Sequence, residues 1–181
     1  MEGLTKYKCE VCGQFHDDWP ALTWDSPSQY NELSQEEKRT IASLDLDFCV
    51  INHPDQTDRF IRVTLTQKVN DHCDALDYGV WVSLSESSFQ DYSSKYGDPQ
   101  AEVATYFGWL CNYIPGYDRT LSIPMTVTTR LGKLRPDARP HSDHDAPFVS
   151  DYYNGIDRKE AERRVHELLD VVGKRNQDDS R

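Results

Sequence analysis

Cys9, Cys12 and His16 stand close together in the stretch "CEVCGQFH". Two thiols two residues apart can be aimed at one point by a single tight turn. Gly13, just after the second thiol, takes the positive φ that such a turn asks for at little cost. Thiolate and imidazole suit a borderline-soft cation in a tetrahedral shell, so the residue types and spacing point to zinc. His16 is near enough to serve as a third ligand. On residue grounds the fourth stays open. Cys49 is the first choice, because it falls on the first strand after an intervening helix. His53 comes second, and Cys73 with His72, or Cys111, come third. With Cys49 the shell is closed, and the ion is structural; catalysis would need a vacant position. Two other readings stand beside it. A redox-active dithiol normally precedes a helix whose N-terminus lowers the first thiol's pKa, and "GQFHDDWPAL" does not read as helix. The third is a pair of plain, unmetallated cysteines.

A second cluster, "HSDHD", carries His141, Asp143, His144 and Asp145. Imidazoles beside carboxylates can hold a metal or work as a general acid and base. A metal-dependent hydrolase built on His141, Asp143 and His144 is therefore the alternative to a binding protein. The plainer reading is a polar loop between Pro140 and Pro147. Ser83, Ser85, Ser87 and Ser88 also cluster, but without the glycine-framed elbow of a nucleophilic serine, and Ser85 reads better as a helix cap. "GWLCNYIPGY" is rich in Trp and Tyr, which serve recognition surfaces as well as cores. The chain has neither a Walker loop nor a dinucleotide fingerprint.

The elements that must hold these groups can be read from periodicity. Residues 17–33, with two prolines and two tryptophans, read as an ordered loop. Ser34 followed by Glu37 is a capping box that opens a short helix. "DFCVI" reads as a strand buried on both faces. "RFIRVTLTQKV" alternates Ile61, Val63 and Leu65 with Arg62, Thr64 and Thr66, the period of a sheet wetted on one side. "DYGVWVSL" puts Tyr78, Val80, Val82 and Leu84 on one side and Trp81 on the other. The interval between these two strands is too short for a helical crossover, so they pair antiparallel. Ser85 caps a helix bearing Phe89, Tyr92 and Tyr96, which Gly97 and Pro99 stop. "MTVTTRL" is a further strand, and "RPDARPHSDHDAPF" a proline-rich loop. Asp157, with Glu160 at the reciprocal position, opens the clearest helix; Ala161, Val165, Leu168, Leu169 and Val172 form its stripe and Gly173 its stop. The pattern predicts an α+β fold: a mainly antiparallel sheet, a few flanking helices and an N-terminal zinc-knuckle-like segment. It predicts one domain over residues 1–173, with residues 7–20 as the knuckle segment packed on it and 174–181 as a frayed tail.

The 181 residues carry 31 acids against 20 bases, for a net charge of -11. The first 60 residues hold 12 acids and 5 bases, and the last 26 are balanced. No basic stripe exists for a phosphate backbone, so nucleic acid is not an expected partner. No segment approaches the roughly 20 apolar residues of a membrane span. Five cysteines cannot all pair within one chain, and the first residues show no apolar run of a secretory signal, so the cytosol with reduced thiols is expected. An acidic surface fits a basic protein partner, because complementary charge speeds encounter. One concrete form is an immunity-type inhibitor that covers the cationic cleft of a toxin.

Taken in order, "CEVCGQFH", "DLDFCVI", "RFIRVTL", "YGVWVSLSESSF", "YFGWLCNYIPGYDRTLSI" and a late "DH" resemble an uncharacterised bacterial family, domain-of-unknown-function family 2199. The likeness covers roughly residues 7 to 170. It implies that Cys9, Cys12 and His16 belong with Asp47 and Cys49, which favours Cys49 as a ligand. It also implies a compact Asp-His-Pro in the C-terminal loop, where this chain has Asp143-His144-Asp145-Ala146-Pro147. The resemblance brings no activity with it.

Overall fold

The computed structural model describes residues 7–8, 13, 15–16, 19–70 and 75–178. The elements in chain order are β1 (Tyr7–Lys8), β2 (Phe15–His16), β3 (Leu22–Thr23), α1 (Ser28–Glu32), α2 (Gln35–Thr40), β4 (Ala42–Leu44), β5 (Phe48–Asn52), β6 (Thr57–Gln67), β7 (Leu76–Leu84), α3 (Glu86–Lys95), β8 (Thr105–Leu110), β9 (Pro124–Thr128), β10 (Asp137–Pro140), α4 (Pro147–Asn154) and α5 (Arg158–Asp178). Helix and sheet are mixed, as the pattern predicts, but the sheet does not stay open. β6, β7, β8, β9 and β10 pair in succession, and β10 returns to β6, so five strands close into a barrel. Four of the five seams are antiparallel, β6–β7 among them; the closing seam, β10 on β6, is parallel. β5 and β4 extend the sheet outward from β6, and β3 pairs in parallel with β7.

The two-residue alternation of β6 and β7 explains two cores. Ile61, Val63 and Leu65 face inward with Tyr78, Val80, Val82 and Leu84, and meet Leu110, Met125, Val127 and Ala138 inside the barrel. Phe89, Tyr92 and Tyr96 of α3 pack with this core, stacking edge-on and tilted around Phe48. Phe148 and Val149 of α4, with Ala161 and Val165 of α5, belong to the same core. The residues of opposite parity, Phe60 and Trp81, face outward. With Cys49, Ile51 and Cys111 they form a smaller core under α1, α2 and β4. Sheets that bury both faces need such a second layer.

Capping follows the sequence. Ser34 and Glu37 make the reciprocal box, Ser85 accepts from the Ser88 amide, and Asp157 accepts from the Glu160 amide. Several expectations are corrected. The outer face of β6 is not wetted at Arg62, which is only 8% exposed. The "loop" at residues 17–33 contains β3 and α1. The proline-rich loop contains β10 and runs into α4. The last helix continues through Gly173 to Asp178, because one glycine inside a helix costs only about 1 kcal/mol. Residues 9–12, 14, 17 and 18 of the expected knuckle lie outside the described residues.

Gly108 of β8 marks how tightly the seam with β7 is drawn. A Cβ there would sit 2.8 Å from the Ser83 carbonyl oxygen. Gly108→Ala is expected to lower the stability by about 2 kcal/mol, read as a shifted urea midpoint with an unchanged slope.

Candidate functional site

The N-terminal hairpin pairs Tyr7 with His16 and Lys8 with Phe15. Gly13 adopts φ 71°, the left-handed conformation expected after the second thiol. The hairpin is tied to the body through its backbone: Arg158, at the start of α5, donates from Nη2 to the Lys8 carbonyl at 3.0 Å. Cys9, Cys12, His72 and Cys73 lie outside the described residues.

Cys49 is fully buried on β5, among Ile51, Phe60, Trp81 and Cys111. Burial, then the charges of Asp45, Cys111 and Asp58, push its thiol up to about 12. Cys111 is likewise buried and pushed up to about 11, chiefly by burial, and donates to the Trp109 carbonyl at 3.2 Å. Both are neutral thiols as placed. Cys49 faces the outer core, whereas the helix that holds Lys8 packs on the inner one. His53 follows β5, with Nε2 3.3 Å from Asp58. Among the described residues, no group of three or more His, Cys, Asp or Glu is gathered in a way that could hold a metal ion.

The histidine loop sits between β10 and α4. His141 donates its amide to the Pro124 carbonyl, and its ring meets Phe107 edge-on at 5.5 Å. The His144 amide closes the turn on the His141 carbonyl. Asp143 and Asp145 are exposed. His144 lines a cleft of about 860 Å³ at one end of the barrel, walled by the loop after β8 and the loop before α4. Tyr113, Asp118, Arg119 and Ser122 face it too. Ser122 is the one non-glycine with positive φ (62°) among the described residues. Its amide donates to Leu110, which in turn donates to Ile123, so two residues oppose one and the β8–β9 ladder ends in a bulge. The cleft thus sets a guanidinium and an imidazole beside two carboxylates.

Two polar networks escape a reading by periodicity. In the first, Asp47 accepts from Arg135 Nε at 2.7 Å and from the Tyr96 hydroxyl at 2.7 Å. Its own carbonyl accepts from the Arg62 amide. In the second, Arg164 is buried; it donates to the hydroxyls of Tyr78 and Tyr117 and to Glu160, while Tyr117 donates to Asp151. Burial opposes its charge, yet the Tyr78 phenol and the hydrogen bond to Glu160 hold its pKa above the ordinary value. Buried arginines of this kind show in sequence only as charges interrupting an apolar face, as Arg164 does beside Val165.

The fold and site together define a small mixed-barrel protein with a hairpin appendage. The match to the family described as an uncharacterized protein conserved in bacteria (DUF2199) spans residues 8–156, and the chain belongs to that family. No curated protein and no solved structure gave a match. No helix among the described residues is long and apolar enough to cross a membrane.

Asp47 gives a pH signature. Burial raises its pKa, but the hydrogen bonds from Tyr96 and Arg135 and the charges of Arg135 and Arg62 outweigh that and leave it below 3.8. A lowered folded pKa contributes stability that is present above the unfolded value and lost as the pH falls through the folded one. Urea titrations of the wild type should therefore lose stability below about pH 4. Asp47→Asn should be less stable at pH 7 and show a shallower acid limb between pH 4 and pH 2.

Proposed function

We propose that the chain is a binding module braced by a structural zinc ion rather than an enzyme. The observation that carries the metal reading is the hairpin: two short paired strands bracket the Cys9–Cys12 segment, and Gly13 turns left-handed where a knuckle requires it. Cys9, Cys12 and His16 are three of the proposed ligands. The surroundings of Cys49 lend no support to its sequence-based assignment, since its thiol is desolvated and faces Cys111. The fourth donor is therefore one for experiment, with Cys49 and His53 the two to test. A bound ion in this shell would supply no reaction; it would fix the hairpin, and through Lys8 and Arg158 the start of α5.

The binding reading draws on the surface. Phe107 and Trp109 stand half-exposed on the outer face of β8, their rings perpendicular at 4.9 Å, with Tyr113 exposed beyond them. Large rigid aromatics of this kind dominate binding energy in protein interfaces. The net charge of -11 selects a basic partner. A second reading, the metal-dependent hydrolase at His141, Asp143 and His144, is favoured by one observation, the position of His144 on the open cleft. The packing of His141 against Phe107 does not favour it.

Elemental analysis should find one zinc per chain, lost in Cys9→Ser and Cys12→Ser. Removal of the ion by a chelator should lower the melting temperature, because binding free energy becomes folding free energy. Cys49→Ser then decides the fourth ligand: weaker retention of zinc places this thiol in the shell, and unchanged retention moves the test to His53. Absence of zinc from freshly purified protein would sink the metal reading. For the function, the wild type and a Phe107→Ala/Trp109→Ala variant are to be compared as baits for host proteins at low and high salt. The expected outcome is a basic partner lost both at high salt and with the variant. Capture indifferent to both, or hydrolysis of a substrate that depends on His144, would overturn the proposal.

A further inference from the structure

The cleft beside His144 is lined by Asp118, Arg119, His144 and Asp145, and none of these side chains pairs with another described residue. Asp118 and Arg119 stand on the loop after β8, His144 and Asp145 on the loop before α4. Each wall therefore brings one nitrogen donor and one carboxylate, and no ion pair crosses between the walls. By contrast, Lys95 meets Asp91, Arg59 meets Glu86, and Arg163 meets both Glu160 and Glu167. The cleft keeps its charges for something that enters it.

Its walls are fixed in advance. Thr120 is buried; its hydroxyl accepts from the Ile114 amide at 2.9 Å and donates to the Asn112 carbonyl at 2.8 Å, which closes the base of the loop after β8. A Cβ at Gly116 would run into the Arg163 guanidinium, so the loop lies directly against α5. Tyr117 is held between Arg164 and Asp151. On the other wall, the His141 amide bonds to Pro124 and the His144 amide to His141. A pocket already shaped needs little ordering when it binds. At about 860 Å³ the cleft has the size of a ligand site, for which roughly 300–1,000 Å³ is usual. Leu121, Ile123, Ala146 and Pro147 give it an apolar lining between the charges.

That lining states the chemistry of the ligand. A simple anion drawn to Arg119 meets the carboxylate of Asp118 beside it, and a simple cation meets the guanidinium. A molecule with both charges at the ends of an apolar frame satisfies both walls at once. The space is more than one amino acid fills. We infer that the cleft is a receptor for a short peptide with free ends and apolar side chains. Arg119 takes its carboxylate, because the guanidinium is always charged and presents a fork that matches two oxygens. Asp145, on the facing wall and clear of Arg119 in the chain, takes its ammonium. The site asks no chemistry of His144, and it stands whether or not the hairpin holds zinc or Phe107 and Trp109 meet a partner.

The test uses the full chain and the dipeptide leucyl-leucine, followed by calorimetry and by the backbone amide shifts of ¹⁵N-labelled protein. The free-ended dipeptide should bind at one per chain and shift amides in the loop after β8 and the loop before α4. Acetylating its amino end, or amidating its carboxyl end, should each weaken binding by roughly tenfold or more, the loss expected for a charge-assisted hydrogen bond. Glycylglycine keeps both charges but lacks the apolar side chains, and it should bind more weakly than leucyl-leucine. Arg119→Met should erase the difference between the free and the amidated dipeptide, and Asp145→Asn the difference between the free and the acetylated one. Both residues are exposed, so both variants should fold. Arg130→Met, beyond the far end of β9, should leave binding unchanged. The assignment falls if leucyl-leucine does not bind, if blocking either end has no effect, or if the shifts lie outside the two loops.

Discussion

A single short parallel contact makes this fold a barrel. β10 is four residues long and lies along β9 for its whole length, yet it touches β6 at only one register pair, Asp137 with Thr64, reinforced by the Thr64 amide donating to the Pro136 carbonyl at 2.8 Å. Parallel pairing is the less stable kind, and a seam this short has little strength of its own. It is held because other interactions bring its ends together. Just before β10, Arg135 grips Asp47, which belongs to the turn leading into β5. Just after it, His141 bonds to Pro124 and its ring meets Phe107. The apolar filling of the barrel does the rest, since Ala138 faces the same interior as Val63 and Val127.

The same arrangement separates the places where chemistry can occur. The end of the barrel near the turn into β5 is filled by the aromatic side chains of α3 around Phe48. At the other end the chain leaves β8 in a long loop and leaves β10 for α4, and the cleft opens between those two exits. Arg164 works as an anchor there: through Tyr117 and Asp151 it connects α5 to the loop after β8 and to α4. Asn112 performs a similar service on the outer edge of β7. It accepts from the Trp81 amide at 2.7 Å and donates to the Ser26 carbonyl at 3.0 Å, filling the gap between β3 and β8 on that edge. These fixed polar ties, rather than apolar area, set how the loops lie.

Much of the inner barrel was legible in the sequence. The alternation in β6 and β7, their antiparallel pairing, the caps at Ser34, Ser85 and Asp157 and the aromatic face of α3 all follow from local chemistry, and the structure has each of them. What stayed unread depends on neighbours. β8 runs unbroken through Gly108, whose lack of a side chain makes sense only once the Ser83 carbonyl beside it is seen. β10 is framed by Pro136 and Pro140, and prolines argue against a strand; here Pro136 enters the seam through its carbonyl, the one hydrogen-bonding group it keeps. α4 begins at Pro147, a favourable first helical position that the preceding histidine and aspartate cluster disguised as loop. Arg62 was legible as a strand position and illegible as a buried one, because Thr23 of β3, distant in sequence, lies over the same Gly79 that its Nε crosses. For the candidate metal site, Gly13 behaves as the spacing predicts, whereas the environment of Cys49 depends on the outer core that α1 and α2 create.

The closing contact also dictates an order of events during synthesis. Thr64 emerges from the ribosome long before Asp137, so the half-built sheet must wait with its seam unpaired and the inward side chains of β6 and β7 only partly covered. Loop closure over so long an interval is slow compared with hairpin formation. The nascent chain therefore passes through a stage in which an unpaired edge and an apolar face are open to other chains, the circumstance in which association competes with folding. The acidic first third is made before that stage, and its negative charge keeps such intermediates apart by mutual repulsion while the ring is incomplete.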